Sequence, residues 1–150
     1  MASELRQKIT DDMHAAMKAR DAARLSTLKM LLSAIGYVEM EKQKDLSDED
    51  VLAVISKEVK QHRESVLAYK EGNRPDLQEK EQKELDILLE YLPAQLSTEE
   101  IEAIVAKAIT ELGVSGPSNK GKVMGKIMPL TKGKADGREV NAIVDRLLNA

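Results

Sequence analysis

Apolar residues in this chain recur at intervals of three and four from one end to the other, and nowhere alternate for long at an interval of two. Leu5, Ile9, Met13 and Met17 stand four apart. Leu25, Leu28, Leu32 and Ile35 follow at 3-4-3 spacing, and the pattern runs on through Val38. A third stripe is Val51, Leu52, Ile55, Val59, Val66 and Tyr69, and a fourth is Leu77, Leu85, Leu88, Leu89 and Leu92. Side chains three and four apart share one face of a helix, whereas a half-buried strand needs period two. An all-α fold with no sheet is therefore expected.

The breaks between stripes set the organisation. Ser3 is a plausible cap for the first helix, and Ser47 for the third, with Asp48, Glu49 and Asp50 placed where the helix dipole favours negative charge. Gly72-Asn73-Arg74-Pro75-Asp76 is a strong break. Short breaks between long helices imply antiparallel neighbours, so residues 1–92 read as an N-terminal helical bundle or hairpin domain. Pro93 cannot continue the helix before it, and Pro93-Ala94-Gln95-Leu96 marks the expected junction.

Residues 93–150 then read as a small three-helix C-terminal tail domain. Ser97-Thr98-Glu99-Glu100 has the form of a capping box ahead of Ile101, Ile104, Val105, Ala108 and Ile109, and Gly113 ends that helix. Ser118 or Asn119 is the expected cap of a short helix ending near Pro129, with Met124 and Met128 in its core. Asp136 and Glu139 are expected to cap the last helix reciprocally, ahead of Val140, Ile143, Val144, Leu147 and Leu148.

Composition removes several chemistries. The 150 residues include no Cys, which excludes disulfides, thiolate metal sites and a Cys nucleophile. No apolar run reaches the ~18 residues of a membrane span, and the N-terminus lacks an apolar signal core, so a cytoplasmic protein without membrane association is expected. Gly116 to Val123 nearly spells a phosphate-binding loop, but Val123 stands where a Mg²⁺-ligating hydroxyl belongs, and no strand precedes it. The acid-rich stretch Asp45 to Asp50 lacks the central Gly of a Ca²⁺ loop. His14 and His62 are the only histidines and are expected to be half-exposed helical residues without a ligand cluster. Neither a metal, a cofactor nor a catalytic residue is expected.

Charge is the informative feature. The net charge is −3, yet between residues 113 and 138 Lys120, Lys122, Lys126, Lys132, Lys134 and Arg138 face Asp136 alone. On a helical wheel Gly121, Gly125, Lys122 and Lys126 fall on one arc, opposite Val123, Met124, Ile127, Met128 and Leu130. Glycine costs a helix interior up to ~1 kcal/mol relative to alanine, so the pair needs a reason. Close helix contact is the more economical one. A smooth strip that admits a bulky anion is the other. For the lysines, the plain alternative is a solvated face.

The same residues carry a resemblance. The run GKVMGKIMPLTKGKADGREVNAIV resembles the C-terminal signature of the GatB/YqeY family, roughly GxVMGxxMxxxKGKADGxxVNxxV, and the segment Glu84 to Ser97 resembles the lead-in of its free-standing YqeY-like members. In this family the tail also ends the B subunit of glutamine-dependent aminoacyl-tRNA amidotransferase, a carbon–nitrogen ligase, where it helps hold misacylated tRNA. The resemblance implies a non-catalytic accessory protein with a tRNA-binding-type tail. Its RNA-facing set would be Lys120, Lys122, Lys126, Lys132, Lys134, Arg138 and Asn141, with Gly121, Gly125, Gly133 and Gly137 setting shape. Pro129 departs from the amidotransferase tails, which more often carry a basic or polar residue there. The segment with a Ser-Ser-Lys set used by the amidase partner is absent, and the chain is too short for the B subunit's ATP-dependent domain. Residues 92–150 contain no aromatic side chain, so binding by base stacking is not expected, and contact would be with phosphates and folded shape. The alternative is a helical protein–protein adaptor acting through residues 1–92, on amidotransferase subunits or another protein. The scarcity of aromatics weakens it.

Overall fold

A computed structural model describes residues 3–149. These residues form seven α-helices and one 3-10 turn, with no strand among them: α1 (Glu4–Ala19), α2 (Ala22–Lys42), α3 (Asp48–Glu71), α4 (Pro75–Leu89), α5 (Thr98–Leu112), α6 (Lys120–Thr131) and α7 (Gly137–Leu148). The protein is all-α. Two compact units divide at Leu92 and Pro93.

In the first unit the helices begin where polar caps satisfy free N–H groups. The Ser3 hydroxyl accepts from the Arg6 N–H and donates to the Asp48 carboxylate, which joins the starts of α1 and α3. That hydroxyl, more than any other group, holds the Asp48 carboxyl below its ordinary range. Ser47 and Asp50 form a full reciprocal capping box. α3 lies along α4 and α1 along α2, with further contact of α2 to α3 and α4. Ile9, Leu28, Leu31, Ile35, Leu46, Val51, Ile55, Val59 and Leu88 fill the centre. Full burial of such a side chain contributes ~1.5–3 kcal/mol. Tyr91 closes one end, its hydroxyl donating to Asp12 at 2.6 Å, and this bond is the main reason the Asp12 carboxyl titrates below its ordinary range.

Three expectations need correction here. Met17 is half exposed, and Ala16 turns inward instead, because four-residue spacing drifts around a 3.6-residue helix. On α2 the buried set is Thr27, Leu28, Leu31 and Ile35, so Leu31 rather than Leu32 is central. His62 is buried, not half exposed: only 7% of its surface remains, and it meets Glu81 and Glu84 of α4.

The second unit packs α5, α6 and α7 around Ile101, Val105, Ala108, Val123, Ile127, Val140, Ile143, Val144 and Leu148. α6 does not stop near Pro129 but continues to Thr131. Proline there forgoes only one backbone bond near the helix end, and the Lys132 N–H still reaches the Met128 carbonyl at 3.0 Å. Met128 is 46% exposed and not core, since it lies far around the wheel from Val123 and Ile127. Leu130 does share their arc, yet it is 54% exposed because it lines an open groove with Ile104, Ala108 and Pro129.

The tail's caps also differ in detail. Asn119 occupies the cap position of α6, but its side-chain amide donates to the Ser115 carbonyl, and neither it nor Ser118 caps by side chain. The Ser97 hydroxyl accepts from the Glu100 N–H, whereas the Glu100 carboxylate takes the Ser97 hydroxyl proton rather than the backbone one. Asp136 caps α7 through the Arg138 N–H. Glu139 does not reciprocate; it accepts from the Thr98 hydroxyl and so ties the start of α7 to the start of α5.

Candidate nucleic-acid interface

The basic residues of the tail stand on two supports. Lys120, Lys122 and Lys126 ride on α6, and Lys132 and Lys134 sit in the connection to α7. That connection is anchored. The Leu96 N–H donates to the Lys134 carbonyl at 2.8 Å, and the Gln95 amide donates to the Gly133 carbonyl at 3.0 Å. Gly133 takes φ of +77°, the left-handed region where a side chain would be strained. Two lysines thus project from a short, pinned loop rather than a loose one.

The lysines do not all keep their charge available. Lys120 pairs with Asp145 of α7 at 3.0 Å, and Lys126 pairs with Glu111 of α5 at 3.0 Å. Lys126 is the main reason the Glu111 carboxyl titrates below its ordinary range. Both acids come from outside the basic segment, so a linear charge count misses them. They offset two of the local excess of five positive charges. Among the described residues no carboxylate lies within ion-pairing distance of Lys122, Lys132 or Lys134, and all three are exposed. Surface pairs such as Lys126–Glu111 are worth only ~0–1 kcal/mol, and a phosphate can displace the carboxylate at small cost.

The remaining expected residues fall out unevenly. The Asn141 amide turns back to donate to the Gly137 carbonyl at 2.8 Å, one turn earlier in α7. Arg138 is exposed in the first turn of α7. The Asp136 carboxylate occupies that helix start, which leaves no open N-terminus for a phosphate.

Gly121 and Gly125 are not close-contact glycines. A Cβ built at either would meet no atom within 4 Å, and both are exposed on the strip that carries Lys122 and Lys126. The helix bears their cost without any gain in its own packing. Gly125→Ala should therefore raise the tail's stability by about 0.5–1 kcal/mol, and Gly121→Ala by less because it lies near the helix start. Urea unfolding checks this. A loss of stability in Gly125→Ala would mean that the strip is covered after all.

A family described as "Yqey-like protein" matches residues 6–148. Two proteins named "Altered inheritance of mitochondria protein 41, mitochondrial" are similar to the chain. The one from Lachancea thermotolerans is 39% identical over 111 residues, a match covering 71% of this chain and 59% of its own. The one from Kluyveromyces lactis is 37% identical over 123 residues, covering 79% and 66%. A third of that name, from Pyrenophora tritici-repentis, is 27% identical over 147 residues, covering 95% and 80%. The chain spans less than two thirds of the length of the first two.

Proposed function

The chain belongs to the Yqey-like family, and from that premise we propose that it is a non-catalytic accessory protein whose tail binds a folded RNA, tRNA in particular, through its phosphates. The observation that carries this reading is the exposed trio Lys122, Lys132 and Lys134, without carboxylate partners among the described residues, beside a side-chain-free strip at Gly121 and Gly125. Lysine ammonium groups meet phosphates as point charges, and the glycines let a bulky backbone come close. The absence of aromatic residues in the tail favours backbone and shape over base readout. Lys120 and Lys126 would join by exchanging Asp145 and Glu111 for phosphates. The amidotransferase that acts on misacylated tRNA is the proposed protein partner, through residues 1–92.

A shift assay with total tRNA at two salt concentrations tests the reading. Three to five lysine–phosphate contacts release counterions, so affinity should fall by roughly one and a half to three orders of magnitude between 50 and 200 mM salt. Binding that ignores salt, or its absence at the lower concentration, would sink the proposal.

One observation favours a second reading, an adaptor. Met30, Tyr37 and Met40 of α2 are exposed by 43%, 63% and 74%, so the first unit does present an aromatic residue and two methionines at its surface. Aromatics are scarce in the chain, yet one of its three tyrosines, Tyr37, stands at the surface. As to compartment, no described helix is long and apolar enough to cross a membrane. The relatives named above carry a mitochondrial designation. The proposed setting is an aqueous compartment that contains tRNA, cytoplasmic or mitochondrial.

A further inference from the structure

Away from the tail, α3 and α4 bring together three groups that sequence spacing kept apart. Glu81 and Glu84 stand three residues apart and so share one face of α4. His62 faces them from α3, with Nε2 at 3.1 Å from a Glu84 oxygen and 3.7 Å from a Glu81 oxygen. The imidazole is 8% exposed, and the two carboxylates only 13% and 22%.

The ring's orientation is fixed by its other nitrogen. Nδ1 lies 2.8 Å from the Glu58 carbonyl oxygen, which can only accept. Nδ1 therefore carries a proton, and Nε2 is the nitrogen turned to the carboxylates. A bare Nε2 lone pair would oppose two anionic oxygens. No lysine or arginine among the described residues lies within ion-pairing distance of Glu81 or Glu84. Two partly buried carboxyl groups and an imidazole nitrogen thus converge, with no cationic side chain beside them among the described residues, in an arrangement suited to a cation.

A proton on Nε2 makes one hydrogen bond and serves Glu84, leaving Glu81 at 3.7 Å with weak compensation. A divalent ion serves all three. Around tetrahedral zinc, with bonds of about 2.0–2.1 Å, neighbouring donor atoms sit about 3.3–3.4 Å apart; the two separations from Nε2 bracket that value, and all three donor atoms lie within 4.8 Å of one another. An imidazole donating its second N–H to a backbone carbonyl is also the usual second-shell support of a histidine ligand.

We propose that His62 Nε2, Glu81 and Glu84 bind a zinc-class divalent ion that clips α3 to α4, with a fourth position left to water. The nitrogen ligand favours Zn²⁺ or Co²⁺ over Mg²⁺ and Ca²⁺, which prefer all-oxygen sites. The site lies wholly in residues 1–92 and does not depend on the RNA-binding reading of the tail.

The test uses the full chain stripped of metal with a chelator, titrated with Zn²⁺ and separately with Co²⁺. Expected are one equivalent bound, a raised melting temperature, and a visible Co²⁺ absorption typical of a low-coordinate N/O site. Glu81→Gln and Glu84→Gln preserve side-chain shape, and each should weaken binding by at least about tenfold. His62→Ala is less useful, since a buried ring is lost with the ligand. If neither ion binds, or if either Gln variant binds as tightly as the unaltered chain, the cluster holds a proton instead and the proposal is overturned.

Discussion

Reversing Lys122, Lys132 and Lys134 together (K122E/K132E/K134E) should weaken tRNA binding by about three orders of magnitude or more at about 50 mM salt, and lower the slope of log affinity against log salt by about three. These are the lysines whose charge no described carboxylate offsets, so each is free to release a counterion equivalent. Lys120 and Lys126 already share their charge with Asp145 and Glu111, and reversing them should cost less. A charge-matched variant reversing the exposed Lys18, Lys57 and Lys60 of the first unit changes net charge equally. It should keep most of the affinity. An equal loss in both variants would show that overall charge governs binding, and the tail face would have no special part in it.

Ile127→Ala should destabilise the tail by about 2–5 kcal/mol. Ile127 is fully buried in the core of α5, α6 and α7, next in sequence to Lys126, and its truncation leaves a cavity in a unit of about 60 residues. Such a unit holds ~3–9 kcal/mol in all, so this one change can unfold it. Loss of amide-exchange protection across α5 to α7 is the measurement. Because the lysines of α6 are held in place by this core, tRNA binding should fail with it. Intact protection in Ile127→Ala would contradict the core described above. The two variants separate causes, since the charge reversal removes binding from a folded tail and the truncation removes the tail.

Much of the fold was legible because helices announce themselves locally. Ser3, Ser47, Ser97 and Asp136 cap as their side-chain chemistry requires, and Gly113 ends α5 with φ of +63°. Period 3.6 marked most inward faces. The reading failed at Met17 and Met128, which lie too far around their helices from the buried residues, and at Leu130, because a wheel gives direction but not whether a neighbour is there to cover the side chain. It failed at Pro129 because a helix tolerates one missing bond near its end.

The order of residues alone determined that this chain is helical, where most of its helices start, and that lysines and glycines cluster in one segment near its end. Those follow from hydrogen-bond closure over four residues and from side chains a turn apart. Which lysines keep their charge was decided only by tertiary structure, since Glu111 and Asp145 reach Lys126 and Lys120 from other helices. Likewise only the pairing of α3 with α4 carried His62 to Glu81 and Glu84. Electrostatic energy depends on distance through space, and a sequence supplies distance along the chain.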